Sequence, residues 1–486
     1  MVRKIGIVLL VIVIIVGVYG AYKPLPEGVS FVGEVREISE DRVHFLADRT
    51  YVNEDGVQVL EHEIFDEKLD MIAEAEQFIL LDMFLYNDLM GAATADHREL
   101  SRELTEALIS RAEERRDIYI HVITDPINTL YGSYGNPRLK ELEEAGVDVT
   151  VTDLSKLRDS NPVYSALWRS FLGYVPPIGG RFLPNPFDPH GDGLTLSSYL
   201  DLLNFKANHR KIVIADRSSE QGREVSTLIT SGNPHDASSA HSNTAVRVDG
   251  ALWPDVLASE RSVARFSGSH IPDIDLDREL FGEDVEDEQV SVQVRTEGEI
   301  KRGVMALTRT LSEDDKVSVL MFYLSDRDII RELKKADRRG ATVRIILDPN
   351  KDSFGRERGG VPNRQVAYEL MTQTDGGTTI RWCLTHGEQC HGKMLIFEHG
   401  DRYTLVQGSA NLTSRNLDDK NLETNIFVQG SFDAPVIADA IDLFDEMWGN
   451  EPEGHLYTTE YRTYEDARLF PRFLYRFGEY TGMSTY

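Results

Sequence analysis

Two histidines, each followed two residues later by a lysine, are the groups in this chain best suited to chemistry on an anion. They are His209 and Lys211 in HRKIVIAD, and His391 and Lys393 in HGKMLIFE. An imidazole attacks or moves protons, and an ammonium neutralises an anionic oxygen, so the doubled set suits group transfer. On a strand, residues two apart face the same way, which directs each imidazole and ammonium into one cavity while the apolar run behind them enters a core. A carboxylate follows at the same offset in each copy, Asp216 and Glu398. A small polar turn comes next, Ser231-Gly232-Asn233 in one and Ser409-Ala410-Asn411 in the other. One such match is weak, because a lone histidine beside a lysine is usually surface decoration. Two matches, each closing its own half of a repeat, are not.

The elements that must position these groups repeat as well. In the first half the spacing predicts a helix over 63–76, a buried strand over 78–86 (FILLDMFLY), a helix over 99–114, a strand over 118–124, a helix over 137–145 and a strand over 147–151. In the second half the same order runs through 299–311, 316–324 (KVSVLMFYL), 329–339, 341–350, 363–371 and 378–383. Both halves carry an Asp-Pro pair after the second strand, Asp125-Pro126 and Asp348-Pro349. A period of about 180 residues therefore separates two α/β lobes, each a mixed sheet flanked by helices. Each lobe supplies one histidine and one lysine, so a site needing both pairs lies between them.

The 486 residues suffice for two lobes, and 41% hydrophobic with 27% charged residues is the composition of a globular protein. A net charge of -29 argues against a general nucleic-acid binder, which needs a basic footprint. Cys383 and Cys390 are the two cysteines, flanking a short loop that ends beside His391. They are either a single bridge bracing that strand in an oxidising compartment or two unpaired thiols.

Residues 1–26 hold an uncharged apolar run over 5–22, preceded by Arg3 and Lys4. This reads as a single transmembrane anchor with a cytoplasmic amino terminus and the catalytic body on the outer face of the cell membrane. A cleaved signal peptide is the alternative. The first lobe then occupies 27–272, and an acidic linker 273–298 follows, with nine carboxylates between Asp273 and Glu288. A calcium loop there lacks the required ligand spacing. The second lobe occupies 299–450. The first lobe differs by an insertion over 154–206, rich in aromatics, proline and glycine; counted to Lys211, the stretch holds seven cations against four anions. That segment either meets phosphate headgroups at a membrane or packs Trp168, Phe171, Phe182 and Phe187 onto its own lobe. The tail 451–486 balances its charges over 455–486 and reads as a packing segment.

With two H-x-K-x4-[DE] motifs, each followed by a Ser-x-Asn turn, residues 60–450 resemble the phospholipase D superfamily. The resemblance implies two similar lobes, one metal-free active site at their interface and no cofactor. It also implies phosphodiesterase or transphosphatidylase activity on phospholipids, in the manner of the cardiolipin synthases, with nuclease activity or an inactive membrane scaffold as alternatives. Lys211 and Lys393, with Asn233, Asn411, Ser231, Ser409 and Asn243, would hold the phosphate. One histidine would attack phosphorus and the other act as acid, then base. In the family, an acid downstream in one lobe supports the histidine of the other. Carried over, Glu423 supports His209 and Asn243 supports His391, which makes His209 the nucleophile and His391 the general acid. The chain departs from the family pattern at Glu398, where an Asp is usual, and at Asn243, which lacks the acid of its counterpart.

Overall fold

The structure, a computed structural model, describes residues 2–91, 97–174, 180–188, 191–219, 222–273, 289–353, 356–357 and 359–484. The apolar runs that carry FILLDMFLY, KVSVLMFYL and the two H-x-K motifs become inner strands. In the first sheet, Asp148–Val151, Tyr119–Thr124 and Phe78–Met83 run parallel, then Lys211–Ser219 pairs antiparallel with Phe78–Met83. Gly222–Thr230, Asn243–Asp249, Val43–Val52 and Gln58–His62 complete eight strands. The second sheet repeats this with Thr378–Cys383, Thr342–Leu347, Lys316–Met321, Lys393–His399, Arg402–Gly408 and Thr424–Gly430. Its nine strands are completed by Thr458–Glu460 at one edge and by Gln289–Thr296 and Arg36–Ser39 at the other. The register is the same in both: Lys211 lies opposite Met83 and Lys393 opposite Met321. One apolar core runs from the first sheet, through Ile214 and Val246, into the second, through Met394 and Val428.

Three segments differ from the reading of the sequence. Residues 36–62, for which the spacing predicts no element, form three strands: the charged positions of VHFLADRTYV disguise a strand that pairs on both sides, with Gln58–His62 and with Asn243–Asp249. The linker assigned to 273–298 ends earlier: Gln289–Thr296 alternates buried and less buried positions as a strand of the second sheet. The acidic run itself, from 274 to 288, lies outside the described residues. The first sheet also does not own all of 27–272, since Arg36–Ser39 pairs with Gln289–Thr296. Cys383 and Cys390 are bridged, with Cα atoms 6.2 Å apart. The helix Val2–Tyr22 is long and apolar enough to cross a membrane and is almost wholly exposed.

The lobes are locked around Arg210, the residue between His209 and Lys211. Its side chain points to the opposite face of the strand and has no exposure. It donates at 2.7 Å to Glu260 and at 2.7 Å to Glu297, and at 2.8 Å to Ser259 Oγ. Glu297 in turn accepts the backbone N–H of Glu423, so the ion cluster ties the first motif to the second lobe. Burial pushes the Glu297 carboxyl up to about 7 against the pull of Arg210. The second lobe has Gly392 at the matching position, where any Cβ would collide with Leu320. Arg210→Met leaves two buried carboxylates without their countercharge and is expected to lower the unfolding free energy by about 3–5 kcal/mol. Chemical denaturation checks this, and a midpoint equal to that of the unaltered chain would show that the cluster does not hold the lobes.

Candidate active site

Both histidines sit where a strand begins at the seam, and each is pinned by the other lobe. The His209 N–H donates at 2.9 Å to the Leu422 carbonyl, and the His391 N–H at 2.9 Å to the Ser242 carbonyl. Their side chains follow the same exchange. His209 Nδ1 lies 2.9 and 3.0 Å from the two carboxylate oxygens of Glu423, and His391 Nδ1 lies 3.0 Å from Asn243 Oδ1. In each case the Nδ1–H donates, leaving Nε2 as the nitrogen free for chemistry.

The orientation of Asn243 follows from its other contacts. Its Nδ2 donates at 3.1 Å to Asp48 Oδ2 and at 3.1 Å to the His241 carbonyl, so its oxygen must face His391. Asp48 is buried, its pKa pushed up to about 6 by desolvation with Lys68 pulling the other way. Behind Glu423 stand Ser409 Oγ and Asn416 Nδ2, both donating to the carboxylate. His209 thus has a carboxylate in contact, while His391 has an amide with a carboxylate one step further back.

The lysines lie beneath this layer. Lys211 Nζ donates at 2.6 Å to the His209 carbonyl and lies 5.1 Å from the centre of the Phe84 ring. Lys393 Nζ donates at 2.9 Å to the His391 carbonyl and lies 5.4 Å from the Phe322 ring. The rings also tilt against the imidazoles, Phe84 4.7 Å from His209 and Phe322 5.0 Å from His391. Burial lowers the Lys211 ammonium to about 7, and burial plus Lys211 takes Lys393 well below its ordinary value. Burial also lowers His209 to about 4 despite Glu423, and burial and Lys393 lower His391 well below the usual imidazole range. These shifts describe a site whose cations and imidazoles press on one another across the seam.

One cavity of about 420 Å³ receives both imidazoles, together with Asn233 and Asn411. Its floor is polar, and its walls include Leu89, Ile127, Leu130, Phe187, Leu202 and Phe205. Most of that apolar wall comes from the first lobe and its insertion.

Five expected site residues sit elsewhere. Asp216 and Glu398 are five residues along their strands from the lysines, roughly 17 Å away. Asp216 accepts the backbone N–H groups of Glu76, Gln77 and Phe78 and pairs with Arg223, while Glu398 pairs with Lys316 at 2.6 Å. Both brace the far ends of the central strands. Ser231, Ser409 and Asn243 do not face the cavity, because their polar atoms are taken up behind the histidines: Ser231 Oγ donates to Asn243 and accepts the Thr244 N–H, and Ser409 Oγ accepts the Thr424 N–H.

Two pairs were missed by reading for chemistry alone. Asp125 accepts the Asn208 N–H at 2.7 Å, and Asp348 accepts the Cys390 N–H at 2.8 Å. Each therefore fixes the residue before a histidine, and burial pushes both carboxyls up to about 7. The repeated Asp-Pro pair was the available signal. Phe84 and Phe322 occupy matched positions in FILLDMFLY and KVSVLMFYL and were equally findable.

Residues 307–448 match the family model described as cardiolipin synthase, phospholipase D-like domain. A comparison with curated proteins finds no match. The fold is similar to that of phosphatidylserine synthase from Haemophilus influenzae Rd KW20, with a TM-score of 0.58 and 11% identity over 94% of this chain and 96% of that one. A phospholipase D family member, Nuc from Salmonella typhimurium, aligns over 35% of this chain and 97% of its own at 19% identity and a TM-score of 0.27. A duplicated H-x-K motif thus meets at one seam, the second lobe matches the phospholipase D-like domain of the cardiolipin synthase model, and the fold along nearly the whole length is similar to that of a phosphatidylserine synthase.

Proposed function

We propose that the protein is a membrane-anchored phosphodiesterase and transphosphatidylase that acts on phospholipids through a phosphohistidine, with cardiolipin formation among its transfers. The observation that carries this reading is the convergence of two imidazoles, one from each lobe, on a single cavity with Nδ1 of each held from the opposite lobe. His209 Nε2 attacks phosphorus, a P–N bond forms, and the P–O bond to the leaving alcohol breaks as His391 gives that oxygen its proton. Water or a second alcohol then attacks phosphorus and gives its proton to His391, a new P–O bond forms, and the P–N bond breaks to release His209. Glu423 favours His209 as nucleophile, because a carboxylate at Nδ1 stabilises the positive charge the ring acquires. The low pKa of His209 keeps it unprotonated and ready to attack. His391 needs a proton, and the phosphodiester's own negative charge opposes the depression caused by burial and the lysines.

Lipid is favoured over nucleic acid by the apolar cavity walls and by the net charge of -29. The apolar amino-terminal helix, with Arg3 and Lys4 in its first turn, supports an anchor with a cytoplasmic amino terminus, and the Cys383–Cys390 bridge suits an oxidising outer compartment.

Three outcomes test this. Full-length protein given phosphatidylglycerol, with and without added alcohol, is expected to release phosphatidic acid and to form the transfer product, cardiolipin when the acceptor is a second phosphatidylglycerol; cleavage of DNA with no action on lipid would overturn the reading. With a substrate whose leaving group needs no proton, His391→Ala is expected to accumulate label on His209, whereas His209→Ala acquires none; label on His391 in His209→Ala would reverse the roles. Tungstate stands in for the phosphoryl group. Lys211 is charged below about 7 and loses its proton above it. A bound dianion restores that proton, so affinity falls as pH rises, by about tenfold per unit above pH 7. Calorimetric titration between pH 6 and 9 checks this, and a flat profile would contradict it.

A further inference from the structure

The C-terminal helix Leu469–Thr481 and the insertion helix Pro162–Ser170 both leave an apolar face uncovered, on the side of the molecule where the amino-terminal helix docks. In the C-terminal helix, Tyr475 and Gly478 are buried against the second lobe, while Leu469, Phe470, Phe473, Leu474, Phe477 and Tyr480 are exposed on another face. The sequence reading of this tail as a packing segment therefore accounts for one side of it. Three arginines flank that face: Arg468 pairs with Asp466 at 2.8 Å, Arg476 pairs with Glu369 at 2.6 Å, and Arg472 lies between them, while Glu479 is engaged by Ser325 and Ser414. An exposed apolar and aromatic face bordered by arginine side chains has the composition of a helix lying in a bilayer interface.

The anchor sets the height of this surface. Its half-covered stripe, Val13, Val16, Gly17, Gly20 and Ala21, lies against the insertion helix, with Gly17 close to Ala166 and Gly20 to Asp159. The Asp159 N–H donates to the Gly20 carbonyl at 2.9 Å, and Lys23 Nζ to the Ser155 carbonyl at 2.6 Å. From Val13 to Ala21 is roughly 12 Å of helix. If that helix crosses a bilayer, the insertion helix beside its last turns is carried into the outer leaflet, and its exposed Val163, Leu167 and Phe171 meet lipid. The C-terminal helix ends at the same place: Gly482 abuts the Ser160 carbonyl, and Arg415 reaches the Ser484 carbonyl.

The same block forms a wall of the catalytic cavity. Tyr164 OH donates to the Leu200 carbonyl at 2.6 Å, Ser165 Oγ to Asn204 Oδ1 at 2.7 Å and Asn161 Nδ2 to the Leu203 carbonyl at 3.3 Å. Leu202 and Phe205, from that stretch, line the cavity, and Arg415 lies 5.3 Å from the Phe205 ring. We propose that the insertion helix and the C-terminal helix form one platform embedded in the bilayer interface beside the anchor, seating the cavity's apolar wall against the leaflet that holds the substrate. This rests on the membrane-anchored reading above and names the lipid surface as the occupant of the face. A second copy of the chain would have to displace the bilayer that the anchor already brings there.

The test uses the full chain in vesicles of phosphatidylglycerol and phosphatidylcholine, with an environment-sensitive fluorophore on Phe473→Cys, Leu167→Cys or, as a control in a polar turn, Asp401→Cys. Labels at 473 and 167 are expected to shift to the blue and to be quenched at least threefold by lipids carrying a quencher in the acyl chain, and the label at 401 to do neither. A label at 473 that stays in water, or that is shielded equally in detergent through self-association, would overturn the platform whatever the enzyme's activity. A companion variant, Phe470→Ser with Phe473→Ser and Phe477→Ser, is expected to lose tenfold or more of the activity on vesicle lipid while cleaving a water-soluble phosphodiester at the unaltered rate. Equal rates on vesicles would also overturn it. Failure of the unaltered chain to cleave either substrate would instead count against the proposed function.

Discussion

Each histidine is held by the lobe it does not belong to, and the rest of the structure is built to preserve that exchange. Leu422 and Ser242 fix the two backbones from across the seam, and Glu423 and Asn243 fix the two rings. Neither lobe alone can orient its own imidazole, because the group that accepts the Nδ1 proton comes from the other sheet. The shared core and the buried Arg210 cluster serve this exchange: they make the seam as rigid as a domain interior, which keeps both rings on one cavity.

The two halves are equivalent in backbone and unequal in charge. Lys211 and Lys393 share register, ring contact and hydrogen bond, and Asp125 and Asp348 share their hold on the residue before each histidine. They differ in what stands behind the rings, a carboxylate for His209 and an amide backed by Asp48 for His391, and in the residue between histidine and lysine, Arg210 in one and Gly392 in the other. The buried lysines complete the design: burial, only partly offset by Glu423 and the nearby aspartates, holds them below their normal basicity.

Much of this was legible in the sequence because period-two spacing and duplication leave marks in sequence order. The paired motifs, the strands on which they lie and the cross-lobe partners could all be placed by matching one half to the other. Other residues were misread for physical reasons. Asp216 and Glu398 belong to the motif but sit too far along an extended strand to reach the cavity, so a conserved-looking spacing marked a structural brace. Ser231 and Ser409 neighbour the asparagines in sequence yet turn inward, which alternation alone does not reveal after a bend. Asp48 could not be found at all, since it meets Asn243 only through the pairing of strands nearly two hundred residues apart. The strand Val43–Val52 was hidden by polar residues on its open side, and the tail by an even charge count that averages over two differently employed faces.

Crystals of the full chain grown with tungstate provide the most direct test of the shared site. One tungstate in the seam, within bonding reach of Nε2 of both His209 and His391, is the result this account predicts. Tungstate held by one histidine alone, or two ions in separate crevices, would contradict it.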